Sequence, residues 1–170
     1  LAEFDAIIKE EQELPFSLSK NLILSLRGRN IMNMLARTVL GLYTLDKDAE
    51  DYSPENLVKQ SISLIARFPV IVAYAYFAMR HSFQRRSMVI RHPRPDLSLA
   101  ANFLYMLKGD KFTALEAEIL DLALVLHAEH GGGNNSTFTT RVVSSAQTDT
   151  YSSIAAALGS LKGELHGGAN

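Results

Sequence analysis

Residues 53–81, SPENLVKQSISLIARFPVIVAYAYFAMRH, set the architecture of this 170-residue chain. Ser53 can cap a helix, and Pro54 suits the first helical position, where a missing amide leaves nothing unsatisfied. From there Leu57, Ile62, Leu64, Ile65, Phe68, Ile71, Val72, Tyr74, Ala75, Phe77 and Ala78 recur at helical spacing to about His81. The second half of this helix is apolar nearly all round, the pattern of an element buried on every side. Its longest apolar run, Phe68 to Met79, is about 12 residues and contains Pro69, short of the ~20 needed to span a bilayer. A buried core helix, kinked at Pro69, is expected. The aromatic and aliphatic side chains read as core packing rather than as a cofactor pocket.

The flanking segments continue the helical pattern. Ile31, Met34, Leu35, Thr38, Val39 and Leu42 form one apolar stripe, preceded by a short helix over Leu18 to Leu26 that Gly28 closes. Leu1 to Gln12 is an amphipathic surface helix stopped by Pro15, and Asp46 to Asp51 is an acidic loop. On the other side, Gln84 to Pro95 gathers Arg85, Arg86, Arg91, His92 and Arg94 with two prolines in an extended connector. It reads either as a solvated loop or as a place for phosphate or carboxylate groups, which arginine's planar fork suits. Asp96 is expected to cap a helix running to Gly109. Thr113 and Glu116 form a capping box for the next helix. In that helix Leu115, Ile119, Leu122, Ala123 and Leu126 lead onto His130, with His127 on the adjacent ridge, so both histidines are expected on the inward face. Thr137 to Ser145 and Thr150 to Leu161 complete the set. No segment alternates at strand period and none repeats, so the chain is expected to be all-α, a single helical domain over residues 1–170.

Composition narrows the function. With 47% hydrophobic and 21% charged residues the chain has the profile of a folded domain, and 17 basic against 18 acidic residues give no global field for nucleic acid. There is no cysteine, so histidine and carboxylate are the only strong metal ligands available, and a cytoplasmic setting is expected. The first residues lack the order of a signal peptide, no membrane partner is expected, and both ends read as cut from something longer.

Two stretches carry the chemistry: 127–136, HAEHGGGNNS, and 165–170, LHGGAN. They hold three of the five histidines and five of the ten glycines. A three-histidine zinc site from His127, His130 and His166 lacks the zinc-protease pattern, because Ala128 stands where glutamate belongs and the histidines are three rather than four apart; no bound metal is expected. The ordinary reading of His127 is a core histidine satisfied by nearby backbone. Gly131 to Gly133 free the backbone and deliver Asn134 and Ser136 to a helix start, where open amides favour carboxylate oxygens. His166 precedes a glycine turn into another helix, a position suited to an uncharged imidazole that donates to a carbonyl oxygen gaining charge.

His127-x-x-His130, the glycine turn, Asn134-Asn135-Ser136-Thr137, Thr140-Arg141-Val142-Val143-Ser144-Ser145, Tyr151-Ser152 and Gly163 to Asn170 together resemble the citrate synthase family. Upstream, Asn30 to Thr38 and Arg94 to Leu107 resemble the family's large-domain helices, so the resemblance covers essentially the whole chain. Two departures are modest: Glu164 stands where many members have proline, and Glu129 where many have aspartate.

The resemblance implies an acyltransferase that condenses acetyl-CoA with oxaloacetate and water to give citrate and CoA, with no permanently bound cofactor and acetyl-CoA as cosubstrate. It implies that His166 hydrogen-bonds the thioester carbonyl as the catalytic donor, that His130 holds oxaloacetate, and that Asn134 and Ser136 lie beside the substrate, with His127 in support. It also implies a truncated portion of the large domain, inactive alone. The proton-abstracting aspartate, a second catalytic histidine, the arginines that clamp oxaloacetate and the small domain would all lie downstream. A homodimer through large-domain helices is the implied assembly. The alternatives are 2-methylcitrate synthase, since propionyl-CoA differs by one methylene, and a non-catalytic helical association module.

Overall fold

The computed structural model describes residues 2–129 and 131–169, and among them the secondary structure is helical throughout, with no strand. The α-helices are α1 (Ala2–Glu11), α2 (Phe16–Leu18), α3 (Ile31–Leu42), α4 (Pro54–Gln84), α5 (Leu99–Lys108), α6 (Ala114–Leu126), α7 (Asn135–Ser144) and α8 (Thr150–Leu161). The expected helix over Leu18 to Leu26 is instead a single α-turn, α2, that widens into a π-helix over Ser19–Ser25. Its Leu22 carbonyl accepts from Arg37 Nε on α3 at 3.3 Å, and Ile23 is fully buried. The wider turn thus serves packing against α3.

The long apolar stretch behaves as its composition requires. Ser53 caps α4 through the Asn56 amide, and the helix runs through Pro69 to Gln84 without interruption. It is the one helix among the described residues long and apolar enough to cross a membrane, and more than half of its most apolar stretch is buried against its neighbours. Val70, Ile71, Ala73, Tyr74, Ala75 and Ala78 meet Met34, Leu35, Val39 and Leu42 of α3 and Tyr151 and Leu158 of α8 in one core. Around it, α1 and α5 pack on α4, α7 packs on α8, and α6 packs on α5.

The acidic loop before α4 ties this core together. Asp46 Oδ2 accepts from Tyr151 OH at 2.7 Å and from Gln60 Nε2 at 2.9 Å, while Asp46 Oδ1 accepts the Asp48 amide. Gln60 Oε1 in turn accepts from Thr150 at the start of α8. Burial alone would raise the Asp46 carboxyl, but the bonds from Tyr151, the Asp48 amide and Gln60 outweigh it and hold it below its ordinary value. Burial, then the facing Asp46 carboxylate, pushes the Tyr151 phenol up.

Three expectations change. Ser98, not Asp96, caps α5 by accepting the Ala101 amide; Asp96 pairs with Arg94 at 2.6 Å, a charge-assisted bond that occupies it. The basic connector is partly structural: Arg91 donates to the Met106 carbonyl at 3.0 Å, and the Arg94 backbone exchanges two hydrogen bonds with the buried Asn102 side chain. The third change concerns α6. The Thr113–Glu116 capping box forms as expected, yet no residue of α6 is buried, and Leu115, Ile119, Leu122 and Leu126 are exposed. The helix packs mainly on α5, and this apolar face is left exposed.

Candidate functional site

The site grows from two helix ends that α7–α8 packing brings together. Thr140 Oγ1 bonds back to the Ser136 carbonyl within α7, and Asn135 Nδ2 donates to Ser160 Oγ on α8 at 2.7 Å. Small residues on both helices allow that approach. Ser136, in the first turn of α7, therefore lies against the last turn of α8, and its hydroxyl is 3.3 Å from the Ala157 carbonyl.

Beyond α8 the chain reverses through a tight turn. The amides of His166 and Gly168 both return to the Gly163 carbonyl at 3.0 Å, and Gly167–Ala169 forms a single 3₁₀ turn. A Cβ at Gly167 would lie 2.5 Å from the Leu161 carbonyl oxygen, so no larger residue fits there. This turn sets the half-buried His166 ring with Nε2 2.9 Å from Ser136 Oγ. The structure thus brings together two residues thirty positions apart that the sequence singles out separately.

Asn134 is the N-cap of α7. Its Oδ1 accepts the amides of Ser136 (2.9 Å) and Thr137 (3.1 Å), so the amides expected to stay open for a carboxylate are already satisfied. The Asn134 side-chain amide is the part left to face a ligand. Of the three glycines before it, Gly131 alone has a positive φ, 73°, and its amide donates to Glu129 Oε1 at 2.6 Å; Gly133 has open space where a Cβ would go. The need for glycine is therefore at the first position of the run.

His127 corrects an expectation. It is the C-cap of α6 and exposed, with Nδ1 2.7 Å from the Ala123 carbonyl, so the backbone does satisfy it but not in a core. The α6 helix ends before the apolar face that would have carried it inward finds a neighbour. His130 lies outside the described residues. Among those described, no group of three or more histidines, aspartates and glutamates could hold a metal ion.

Two participants had no sequence signal. The Ala157 carbonyl is a backbone group and leaves no trace in residue type, and the Asn135–Ser160 bond depends on how α7 crosses α8. Chemically, a hydroxyl between a carbonyl and an imidazole fixes the ring's orientation and leaves its other nitrogen to face a substrate.

The model of the family described as citrate synthase, C-terminal domain, matches residues 1–170. The citrate synthase of Deinococcus radiodurans is 42% identical over 170 residues, covering all of this chain and 43% of its own length. A 2-methylcitrate synthase of Shewanella oneidensis is 41% identical over 107 residues, covering 63% of this chain and 27% of its own. The solved citrate synthase of Pyrobaculum aerophilum superposes with a TM-score of 0.88 at 34% identity, covering 99% of this chain and 42% of that one. That of Thermoplasma acidophilum, in a ternary complex with carboxymethyl coenzyme A and oxaloacetate, superposes at 0.86 with 26% identity, again covering 99% and 42%. The chain thus spans less than half the length of these relatives. Matched from its first residue to its last, with its Ser136–His166 pair on a shared helical fold, it belongs to the citrate synthase family.

Proposed function

We propose that this chain supplies the electrophilic half of a site that condenses acetyl-CoA with oxaloacetate and water to citrate and CoA. The observation that carries the reading is the Ser136–His166 hydrogen bond. Ser136 has one hydroxyl hydrogen and two candidate acceptors, and His166 Nε2 at 2.9 Å is nearer than the Ala157 carbonyl at 3.3 Å. Given to Nε2, that hydrogen makes the imidazole carry its own on Nδ1. A neutral donor then faces the thioester carbonyl, whose oxygen gains negative charge as the acetyl methyl loses its proton and becomes an enol. One such preorganised donor contributes on the order of 3 kcal/mol to the transition state. The enol carbon attacks the oxaloacetate ketone, and water then releases CoA from the citryl thioester.

In this reading His130 and the Asn134 amide hold oxaloacetate, and no permanently bound cofactor takes part. The base and the carboxylate clamps come from parts of the relatives that this chain does not span, so the domain here is a portion of the larger fold. The cytoplasmic setting belongs to the same proposal. A homodimer is the proposed assembly, and the exposed apolar face of α6 supports it, because contiguous apolar surface of this kind marks association sites. Light scattering that finds only monomer would count against it.

The direct test exchanges the matching segment of the Deinococcus radiodurans enzyme for this chain. Release of free CoA from acetyl-CoA and oxaloacetate is expected, falling about 100-fold or more in His166→Gln. A folded, active exchange enzyme indifferent to that substitution refutes the role. The 170-residue chain alone is expected to release no CoA. A second reading, 2-methylcitrate synthesis from propionyl-CoA, is favoured by the relatives of that name. The same enzyme assayed with both thioesters separates the two, since one methylene is worth only ~1–3 kcal/mol.

A further inference from the structure

Charge is segregated along this chain. Residues 14–45 and 56–95 contain no aspartate or glutamate, although the chain as a whole is nearly neutral. The fold gathers arginines from both segments at the C-terminal end of α4. Arg80 stands in the last turns of that helix, Arg85 is its C-cap in a left-handed conformation (φ 51°), and the amides of Arg85 and Arg86 both return to the Arg80 carbonyl. His81 Nδ1 lies 2.9 Å from the Arg86 carbonyl. The loop before α3 adds Arg29, with its guanidinium 4.7 Å from the centre of the Phe83 ring, and Arg27, held by the Leu24 carbonyl at 2.6 Å.

These cations are gathered without carboxylate partners among the described residues. Arg67 and Arg94 each face a carboxylate, whereas among the described residues Arg27, Arg29, Arg80, Arg85 and Arg86 form no ion pair. A helix C-terminus attracts positive charge, which accounts for Arg80. It does not account for arginines delivered from a second segment, nor for a pair that continues beyond the helix. Arg29 and Arg80 are also preorganised, one over Phe83 and the other over Tyr76, whose hydroxyl accepts from Arg80 Nη1 at 3.1 Å. Exposed Phe83 and Leu26 lie in the same two segments.

We propose that this arginine face docks an acidic segment of a partner protein. Arginine beside aromatic side chains is the composition enriched at the centres of protein interfaces, and the guanidinium fork matches carboxylates two bonds at a time. Stacked, preorganised guanidinium groups lose little freedom on binding, which favours a defined carboxylate partner over a diffuse anionic surface. Phe83 is already covered by Arg29, which makes it a poor anchor for insertion into lipid.

The test is fluorescence anisotropy of a labelled decaglutamate peptide titrated with the 170-residue chain. Saturable binding is expected, weakening severalfold as salt rises from about 50 to about 200 mM. It should weaken about tenfold in Arg29→Gln/Arg80→Gln/Arg86→Gln and remain within about twofold in Lys47→Gln/Lys59→Gln, at the other end of α4. Should the triple variant fail to give a native circular dichroism melt, the exposed single substitution Arg86→Gln is expected to weaken binding severalfold. Absence of binding to the unsubstituted chain, or binding indifferent to Arg86→Gln and to the triple substitution, overturns the proposal. Arginine-dependent sedimentation with phosphatidylserine-containing vesicles, without peptide binding, overturns it in favour of a lipid surface.

Discussion

Met34, Val39 and Ile71, in the core shared by α3, α4 and α8, have no exposed surface at all, whereas Leu115, Ile119, Leu122 and Leu126 on α6 are 59–71% exposed. Both sets are ordinary core residues at helical spacing. What separates them is how closely neighbouring helices approach each: α4 is packed by α1, α3, α5 and α8, but α6 packs closely on α5. Apolar patterning states that a face is to be covered and is silent about what covers it. The Ser136–His166 pair stands between the two regimes, fastened to the well-packed α8 on one side and close to the thinly supported α6–α7 connection on the other.

That contrast can be broken by stability measurements on the chain. Ile71→Ala should have the largest effect, lowering stability by about 2–5 kcal/mol in chemical denaturation, since a fully enclosed site cannot collapse around the void. Tyr151→Phe should cost about 1–3 kcal/mol, because it removes the phenol that Asp46 accepts from and leaves a carboxylate oxygen short of a donor. The same carboxylate gives a pH signature. Its folded value is depressed, so its contribution is fully present above the ordinary carboxylate value of 3.8 and is lost as pH falls through the lower folded value. Asp46→Asn should flatten that acid limb in a circular dichroism titration, and an unchanged limb would show that Asp46 does not set it.

Smaller effects are expected in the thin layer. Thr113→Ala opens the capping box of α6 and should cost about 1 kcal/mol, with the loss visible as helix fraying in amide exchange. Leu122→Ala should stay within about 0.5 kcal/mol in dilute monomer, despite deleting the same groups as a core leucine substitution. If it instead costs as much as Ile71→Ala, α6 is buried in solution and the contrast is one of assembly; repeating the melt over a concentration series would show that as a rising midpoint.

The legible parts are those with local causes. The Ser53 and Thr113 caps, the buried long helix and the glycine turn at His166 follow from short-range geometry. Asp96 has the residue type and position of a cap but does not act as one, because Arg94 competes for the same carboxylate. His127 sits on an apolar helical face and still points outward, since a face in sequence does not say which helices adjoin it. The family resemblance carries the site residues further than spacing can, since nothing local links Ser136 to His166.

The sequence by itself determined where most of the helices are and which positions want burial, because these depend on periodicity, caps and side-chain type within a few turns. Only the tertiary structure decided which apolar faces are covered and that Ser136 meets His166. Those depend on how α7 crosses α8 and how the chain turns after Leu161, long-range facts that no window of residues contains.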